Sequence, residues 1–305
     1  MRLIKDNLNL DFMGKRLYTG IASLLVILGG IGAFFVFNGL NYGIDFRGGT
    51  IIQIQFKDSH AIGDIRKVLS ESDIGSFSLQ SFGEASANEF IISIGQTERT
   101  QIKKGESIAE KISGILKGKF SAMEVRRVES VGPKVGEELK TAASEAILFS
   151  LVAILIYIWF RFQWRFGVGA IMALVHDVLI VLSAFVLTQK EITLPVVAAI
   201  LTVAGYSIND TIVIFDRIRE NLHRFQKRDP LAVFNSSVNQ TLSRTVLTSG
   251  TTLLVVAVLY FFGGAIINDF AFALLIGIIV GTYSSIFIAA PLVFLLQKRF
   301  PPKAR

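Results

Sequence analysis

Cysteine is absent, and histidine nearly so, with only His60, His176 and His223. Disulfides and thiolate metal sites are thereby excluded, and a histidine-rich metal centre has too few ligands. No metal and no cofactor is expected. Charge is also scarce: Asp, Glu, Lys and Arg make up 18% of the 305 residues, against about 25% in an average soluble domain. Soluble-enzyme signatures are missing too. There is no P-loop, no G-x-S-x-G, no H-E-x-x-H and no dinucleotide fingerprint, so a non-enzymatic role is expected.

What the chain has in abundance is apolar sequence, 51% of the residues. It gathers in runs of about 20, the length a helix needs to cross a hydrocarbon core of about 30 Å. The first is residues 17–38, after a cytoplasmic N-terminus of residues 1–16. It exceeds a signal-peptide core of about 7–15 residues, and no small-residue cleavage site follows it, so it reads as a retained signal-anchor helix. Five more spans lie within residues 141–297, at Ala142–Phe160, Phe166–Leu187, Leu194–Phe215, Val246–Phe262 and Ile266–Leu296. The last offers no turn residues before Pro291 and is read as one crossing. The fold class is therefore a polytopic α-helical membrane protein with six transmembrane helices.

Residues 39–140 differ in character, with frequent charges and short apolar stretches. Thr50–Lys57 alternates as a half-buried strand does. Ala61–Glu71 is helical in pattern, Phe77–Phe82 and Phe90–Ile94 are strands about a Gly83–Asn88 turn, Gln101–Leu116 is helical, and Phe120–Val128 closes as a strand. The order β-α-β-β-α-β predicts an inserted α+β domain of ferredoxin-like type, one sheet with both helices on one face.

Basic residues set the orientation. With the N-terminus inside, the cytoplasmic segments are residues 1–16, 161–165, the loop 216–244 and the C-terminus 298–305. Together they hold 16 Lys and Arg against five Asp and Glu, while Leu40–Lys140 holds 14 of each sign. The +7 excess is thus a positive-inside signature. A nucleic-acid surface would concentrate it on a folded domain, and no nucleic-acid partner is expected.

Charges inside apolar spans are costly and mark candidate sites. Asp210 lies within the fourth span, flanked by Ser207, Asn209 and Thr211, with Tyr206 on its face. It reads as a proton-handling or gating carboxylate, or as a structural one that ties helices together. Arg244 opens the fifth span and is its natural partner. Gln240, Arg244, Thr248 and Thr251 share one helix face, which should meet protein or water. The alternative is an interfacial arginine that snorkels to headgroups. His176 and Asp177 interrupt the third span. Neighbours on a helix point about 100° apart, so the two are not expected to act on each other. A proton relay and inter-helix hydrogen bonding both stay open. Asn209, Thr211, Thr248, His176 and Asp177 are the accessory polar candidates. Gly277, Gly281 and Ser285 form a small-xxx-small series suited to close helix contact. Asp45, Gly48 and Gly49 just outside the first span, and Gly132, Pro133 and Gly136 before the second, are read as joints of a mobile external domain, with a rigid connector as the alternative.

Five segments in this order, GIDFRGG (Gly43–Gly49), VGPKVGEEL (Val131–Leu139), HDV (His176–Val178), GYSINDTIVIFDRIREN (Gly205–Asn221) and NQTLSRTVLTSGTTLL (Asn239–Leu254), resemble the SecF members of the SecD/SecF protein-export family, which is related to the resistance-nodulation-division transporters. The resemblance implies a bacterial inner-membrane protein with both termini cytoplasmic and the large domain periplasmic. It implies SecD and the SecYEG channel as partners, YajC as a further contact, a translocating preprotein as client, and membrane lipids around the spans. It also implies a late translocation step driven by the proton motive force, with the family's coupling aspartate and arginine matching Asp210 and Arg244. Two other readings stay open: a proton-driven exporter of small molecules or lipids, and a passive scaffold of the translocase. The former would normally carry twice as many spans and external domains.

The charge distribution is testable directly. A cysteine at Ser86 should react with a membrane-impermeant thiol reagent in cells with a permeable outer membrane. One at Ser236 should react only once the inner membrane is opened, and the reverse pattern would overturn the orientation.

Overall fold

Alternating apolar residues build a small sheet between the first two long helices. The computed structural model describes residues 9–72, 74–75, 77–83, 87–95, 108–120 and 122–301. The elements of the sheet unit are β1 (Gly49–Phe56), α3 (Ile62–Ser70), β2 (Phe77–Phe82), β3 (Glu89–Gly95), α4 (Ile108–Lys119) and β4 (Met123–Val131). The strands form one antiparallel sheet in the order β2-β3-β1-β4, the split βαβ order expected. Ile52, Ile54 and Phe56 of β1 face Ile65 and Leu69 of α3 and Ile112 and Leu116 of α4 in one apolar cluster. Both helices therefore cover a single face.

Two expectations shift here. The last strand begins at Met123, not Phe120. The Phe120 amide still bonds to Leu116 O, as in a helix, and its ring packs 5.3 Å from that of Phe56. Ala122, at φ 62°, then turns the chain into β4. The helix expected from Gln101 is described from Ile108. Its residues 101–107, residues 84–86 of the expected turn and the labelling position Ser86 lie outside the described residues.

Six helices among the described residues are long and apolar enough to cross a membrane. They are α1 (Arg16–Val36), α5 (Pro133–Arg161), α6 (Trp164–Thr188), α7 (Leu194–Arg224), α8 (Pro230–Phe262) and a last span over Ile267–Arg299. That last span runs from α9 (Gly264–Ser284) through a wide turn at Ser285–Ala289 into α10 (Ala290–Arg299). It is one crossing, as read. The wide turn sits just before Pro291, which lacks the N–H to continue a regular ladder.

Several helices outrun their apolar stretches. The segment 216–244, expected as a loop, is helical except at residues 225–229. Its buried face explains this. Ile218 of α7 and Phe234 and Val238 of α8 join one apolar cluster with Phe162, Phe166 and Phe215, so tertiary contact holds the helices together past the hydropathy boundary. α5 likewise starts at Pro133 rather than Ala142, with proline at its first position, where its fixed φ suits a helix start.

α6, α7 and the last span form the centre of the bundle. At least half of each one's apolar window is buried, against 11% for α1 and 6% for α5. Exposed Phe35, Trp159, Phe160, Leu254 and Phe262 leave the outer faces apolar, suited to lipid. Residues before α1 fold back along α8. The Asn235 and Asn239 side chains accept from the backbone amides of Phe12 and Leu10, both at 2.9 Å.

The small-xxx-small series does what its spacing suggests. A Cβ at Gly277 would stand 2.1 Å from Val203 Cγ2, and one at Gly281 would stand 3.0 Å from Ser207 Cβ. Glycine thus sets the α7–α9 distance. Gly277→Ala should lower unfolding stability by about 1–3 kcal/mol, the usual cost of overpacking. Adding Val203→Ala should restore most of it. Thermal unfolding in lipid discs reads both, and a neutral Gly277→Ala would refute the close contact.

Candidate functional site

The close approach of α7 and α9 brings hydroxyls to a carboxylate that is fully buried. Asp177 of α6 has no exposed surface. Its Oδ2 accepts hydrogen bonds from Ser207 of α7 at 2.5 Å and from Ser284 of α9 at 2.8 Å. Its Oδ1 lies 2.9 Å from Nδ1 of His176. The expectation that His176 and Asp177 do not act on each other is therefore corrected. The two side chains leave the helix about 100° apart, but both turn into the crowded space between α6 and α9, where the imidazole stands 6.1 Å from the Tyr283 ring. Three helices meet at Asp177.

A second carboxylate lies one turn further along α7. Asp210 is 3% exposed, and its Oδ2 accepts from Ser249 of α8 at 3.3 Å. Ser249 Oγ is 2.7 Å from Thr282 Oγ1 of α9. This site thus spans α7, α8 and α9. Thr211 beside it is buried, Asn209 faces outward, and Tyr206 OH lies 3.3 Å from Thr252 Oγ1.

Arg244, the expected partner of Asp210, makes no salt bridge with it within 4 Å among the described residues. It sits five residues before Ser249, about 7.5 Å along the helix axis and some 140° around it. Its exposed side chain lines a cavity of about 280 Å³ with Val213, Asp216, Arg217 and Glu220 of α7 and Gln240 and Thr241 of α8. Of the Gln240–Arg244–Thr248–Thr251 stripe, Gln240 and Arg244 border that opening. Gln240 accepts from Asn221 of α7 at 2.9 Å, and the neighbouring stripe, Thr241, Thr245 and Ser249, is buried. Near the cavity, Arg161 at the end of α5 donates to Asp216 at 2.7 Å.

At the other end of α7, the predicted joints come together. A Cβ at Gly48 would meet the Pro133 backbone at 3.1 Å, and one at Gly136 would meet Gly48 N at the same distance. Gly48 has φ 74°, and a Cβ at Gly49 would fall 2.2 Å from Ile94 O. The two linkers therefore close on each other as one junction; Gly132 has open space around it. Asp45, in the one-turn α2 (Ile44–Arg47), accepts from the Leu194 amide at 2.8 Å. That amide is one of the free donors at the start of α7. The Gly43 amide also bonds to Ile192 O at 2.9 Å. Glu191 in the same loop accepts from Ser78 of β2 at 3.4 Å. Burial pushes its carboxyl above the usual range, and Asp269 and Asp45 add to this, while Arg47 and the Ser78 bond oppose it.

The structure thus brings together Asp210 with Thr211, and His176 with Asp177, and it gathers Asp45, Gly48, Gly49, Pro133 and Gly136 at one outer junction. Among the described residues Arg244 makes no salt bridge with Asp210, Thr248 bonds back to its own helix, and Asn209 is exposed. Sequence reasoning missed Ser249, Thr282, Ser284 and Thr245. The signal was present in the i, i+4, i+8 spacing of Thr241, Thr245 and Ser249, beside the more conspicuous stripe containing arginine.

The family described as protein export membrane protein SecD/SecF, C-terminal, matches residues 111–299, and the SecD/SecF GG motif matches residues 33–59. Among relatives, the protein translocase subunit SecF of Desulfurispirillum indicum is 47% identical over 301 residues, covering 95% of this chain and 93% of that protein. The SecF of Vibrio alginolyticus is 48% identical over 254 residues, 83% of this chain and 79% of that one. Among solved structures, the translocon-associated membrane protein SecDF of Thermus thermophilus is similar over 97% of this chain, with TM-score 0.83 and 37% identity. SecDF in a super-membrane-facing form is similar over 98%, with TM-score 0.73 and 38% identity. This chain spans 40% of the length of each of those SecDF chains.

The two carboxylates should differ in what they hold. Asp177→Ala leaves the buried donors of Ser207 and His176 without an acceptor, and Ser284 with the Gly281 carbonyl alone, and should cost about 2 kcal/mol or more of unfolding stability. Ser249→Ala removes a single hydroxyl and should cost about 1 kcal/mol. Thermal unfolding in lipid discs checks the order, and equal losses would remove Asp177 as the stronger junction.

Proposed function

The chain belongs to the SecD/SecF family of protein-export membrane proteins and has a role in protein translocation; from that premise we propose that, paired with SecD, it uses the proton motive force to promote late steps of export through the SecYEG channel. In this reading the Asp210 carboxyl exchanges protons with one side of the membrane at a time, and the protein is not an enzyme. Both termini are cytoplasmic, the sheet domain lies in the periplasm, and YajC is a further neighbour in the translocase.

One observation carries the reading. α7 holds buried Asp210 near its middle and at its N-terminus is bonded to the external domain's junction through Asp45 and Leu194. The two points are sixteen residues apart, about 24 Å along one helix. A change of charge at Asp210 alters its hold on Ser249 of α8, so it shifts or tilts α7 within the bundle. A helix transmits that shift along its length, and the junction delivers it to the sheet domain. The cavity bordered by Arg244 opens three residues past Asp210, at Val213 and Asp216; in this reading protons approach Asp210 from that side, and the guanidinium biases which ions enter. The energy scale is sufficient, since one charge moved across 100 mV supplies about 2.3 kcal/mol. A preprotein emerging beside a domain driven this way would be kept from sliding back.

Asparagine has nearly the shape of aspartate but cannot exchange a proton here. Asp210→Asn should accumulate normally, co-purify with SecD and lose the increment of precursor export that depends on the proton gradient, while ATP-driven initiation persists. Export by membrane vesicles with and without a gradient separates the two. An assembled mutant that keeps the full increment would identify the chain as a passive scaffold.

A further inference from the structure

The Asp210 mechanism leaves the most deeply buried titratable pair of the bundle unused. Asp177 is fully buried and His176 is 6% exposed. A carboxylate only accepts hydrogen bonds, so with Asp177 ionised Nδ1 of His176 carries the hydrogen directed at Oδ1, 2.9 Å away. Nε2 is then the basic nitrogen of a neutral ring. That atom is buried and has no hydrogen-bond partner among the described residues. A carboxylate that fixes the tautomer of an imidazole and leaves its far nitrogen free is the arrangement that makes histidine a proton acceptor.

The surroundings indicate what proton uptake would do. The His176 ring faces Tyr283 of α9. The Tyr283 hydroxyl is already engaged with Ser23 and with Thr19 O of α1, at 3.1 and 2.8 Å. From α7 the pair meets Ser207, and from α9 it meets Ser284, both neutral hydroxyls. Among the described residues no other charged side chain forms an ion pair with either member. The next carboxyl on α7 is Asp210, one turn past Ser207.

We propose that His176 is a second proton-accepting residue, which through Asp177 controls how firmly α7 and α9 are held to α6. The proposal rests on the proton-driven reading of Asp210. With the ring neutral, the unit carries the single negative charge of Asp177, and the Ser207 and Ser284 hydroxyls are needed to hold it. A proton arriving at Nε2 makes an imidazolium paired with the carboxylate, and no other bond forms or breaks. The unit becomes neutral overall, Oδ1 binds the ring more strongly, and the demand on the two serines falls. α7 is freed from α6 one turn from Asp210, so that His176 acts as a positioning residue for it.

The test uses the full chain in complex with SecD, in lipid discs, with 15N-labelled histidine. The three histidines give few signals, and the one missing in His176→Asn is assigned to residue 176. It should keep Nδ1 protonated throughout and should gain a proton at Nε2 as the pH is lowered from 9 to 5. Asp177→Asn should abolish that fixed Nδ1 signature. Asparagine at 176 can still donate to Asp177 but cannot take up a proton. His176→Asn should therefore melt close to the parent and bind SecD, yet lose at least tenfold of the gradient-dependent export increment, with ATP-driven initiation intact. An Nε2 that never titrates, or full export by His176→Asn, overturns the inference. Asp210→Asn in parallel keeps the two ideas apart. Loss there with full export by His176→Asn sinks this proposal alone, whereas full export by both variants sinks the reading beneath it.

Discussion

Inside hydrocarbon a carboxylate keeps its charge only where donors reach it, and here they reach it because two glycines let α9 settle onto α7. Gly277 sits against Val203 and Gly281 against Ser207. At that separation Ser207 and Ser284 both touch Asp177, and Thr282 reaches Ser249, which serves Asp210. A wider spacing would take Ser284 from Asp177 and Thr282 from Ser249. Charge placement and backbone approach are thus one constraint, and the hydroxyls at the α6–α9 contacts exist in its service.

The sheet domain is joined to this bundle by more than its two covalent linkers. Those linkers close on each other at Gly48, Pro133 and Gly136, and the junction they form is bonded to the start of α7. The expectation of two separate flexible joints gives way to a single contact with backbone touching backbone. Motion of the domain relative to the bundle then has to pass through the outer end of the helix that carries Asp210. α7 thus carries a buried acid near its middle and a polar clasp at its N-terminus.

Much of the architecture was legible because its signals are periodic. Ile52, Ile54 and Phe56 alternate, Ile112 and Leu116 repeat at one turn, and the six apolar runs are long enough to count. What hydropathy could not see is where helices end. α7 and α8 continue past the apolar stretch because Ile218, Phe234 and Val238 pack together there, a tertiary fact. Asp210 stood out as a charge in an apolar span, but its donors did not, because serine and threonine are unremarkable in such segments. Arg244 drew attention to one polar stripe of α8, and the buried stripe about 100° beside it, which carries Ser249, went unread. The bond from His176 to Asp177 was misjudged for a related reason: helical geometry fixes where side chains leave the backbone, not where crowding makes them turn.

The contacts of the N-terminal segment and of Asp177 also bear on how the chain is made. Leu10 is bonded to Asn239, 229 residues downstream, and Asp177 is bonded to Ser284, 107 residues downstream. During synthesis from the N-terminus, α6 enters the membrane with its acid before either serine donor exists. Asp177 is then accommodated by some other means, as the neutral acid or beside water at the insertion site, until the last span arrives. The final helix to be made therefore completes the centre of the bundle. A ribosome stalled before Thr282 would leave Asp177 in the membrane without its α9 hydroxyl, and such truncated chains are the ones a membrane protease should find first.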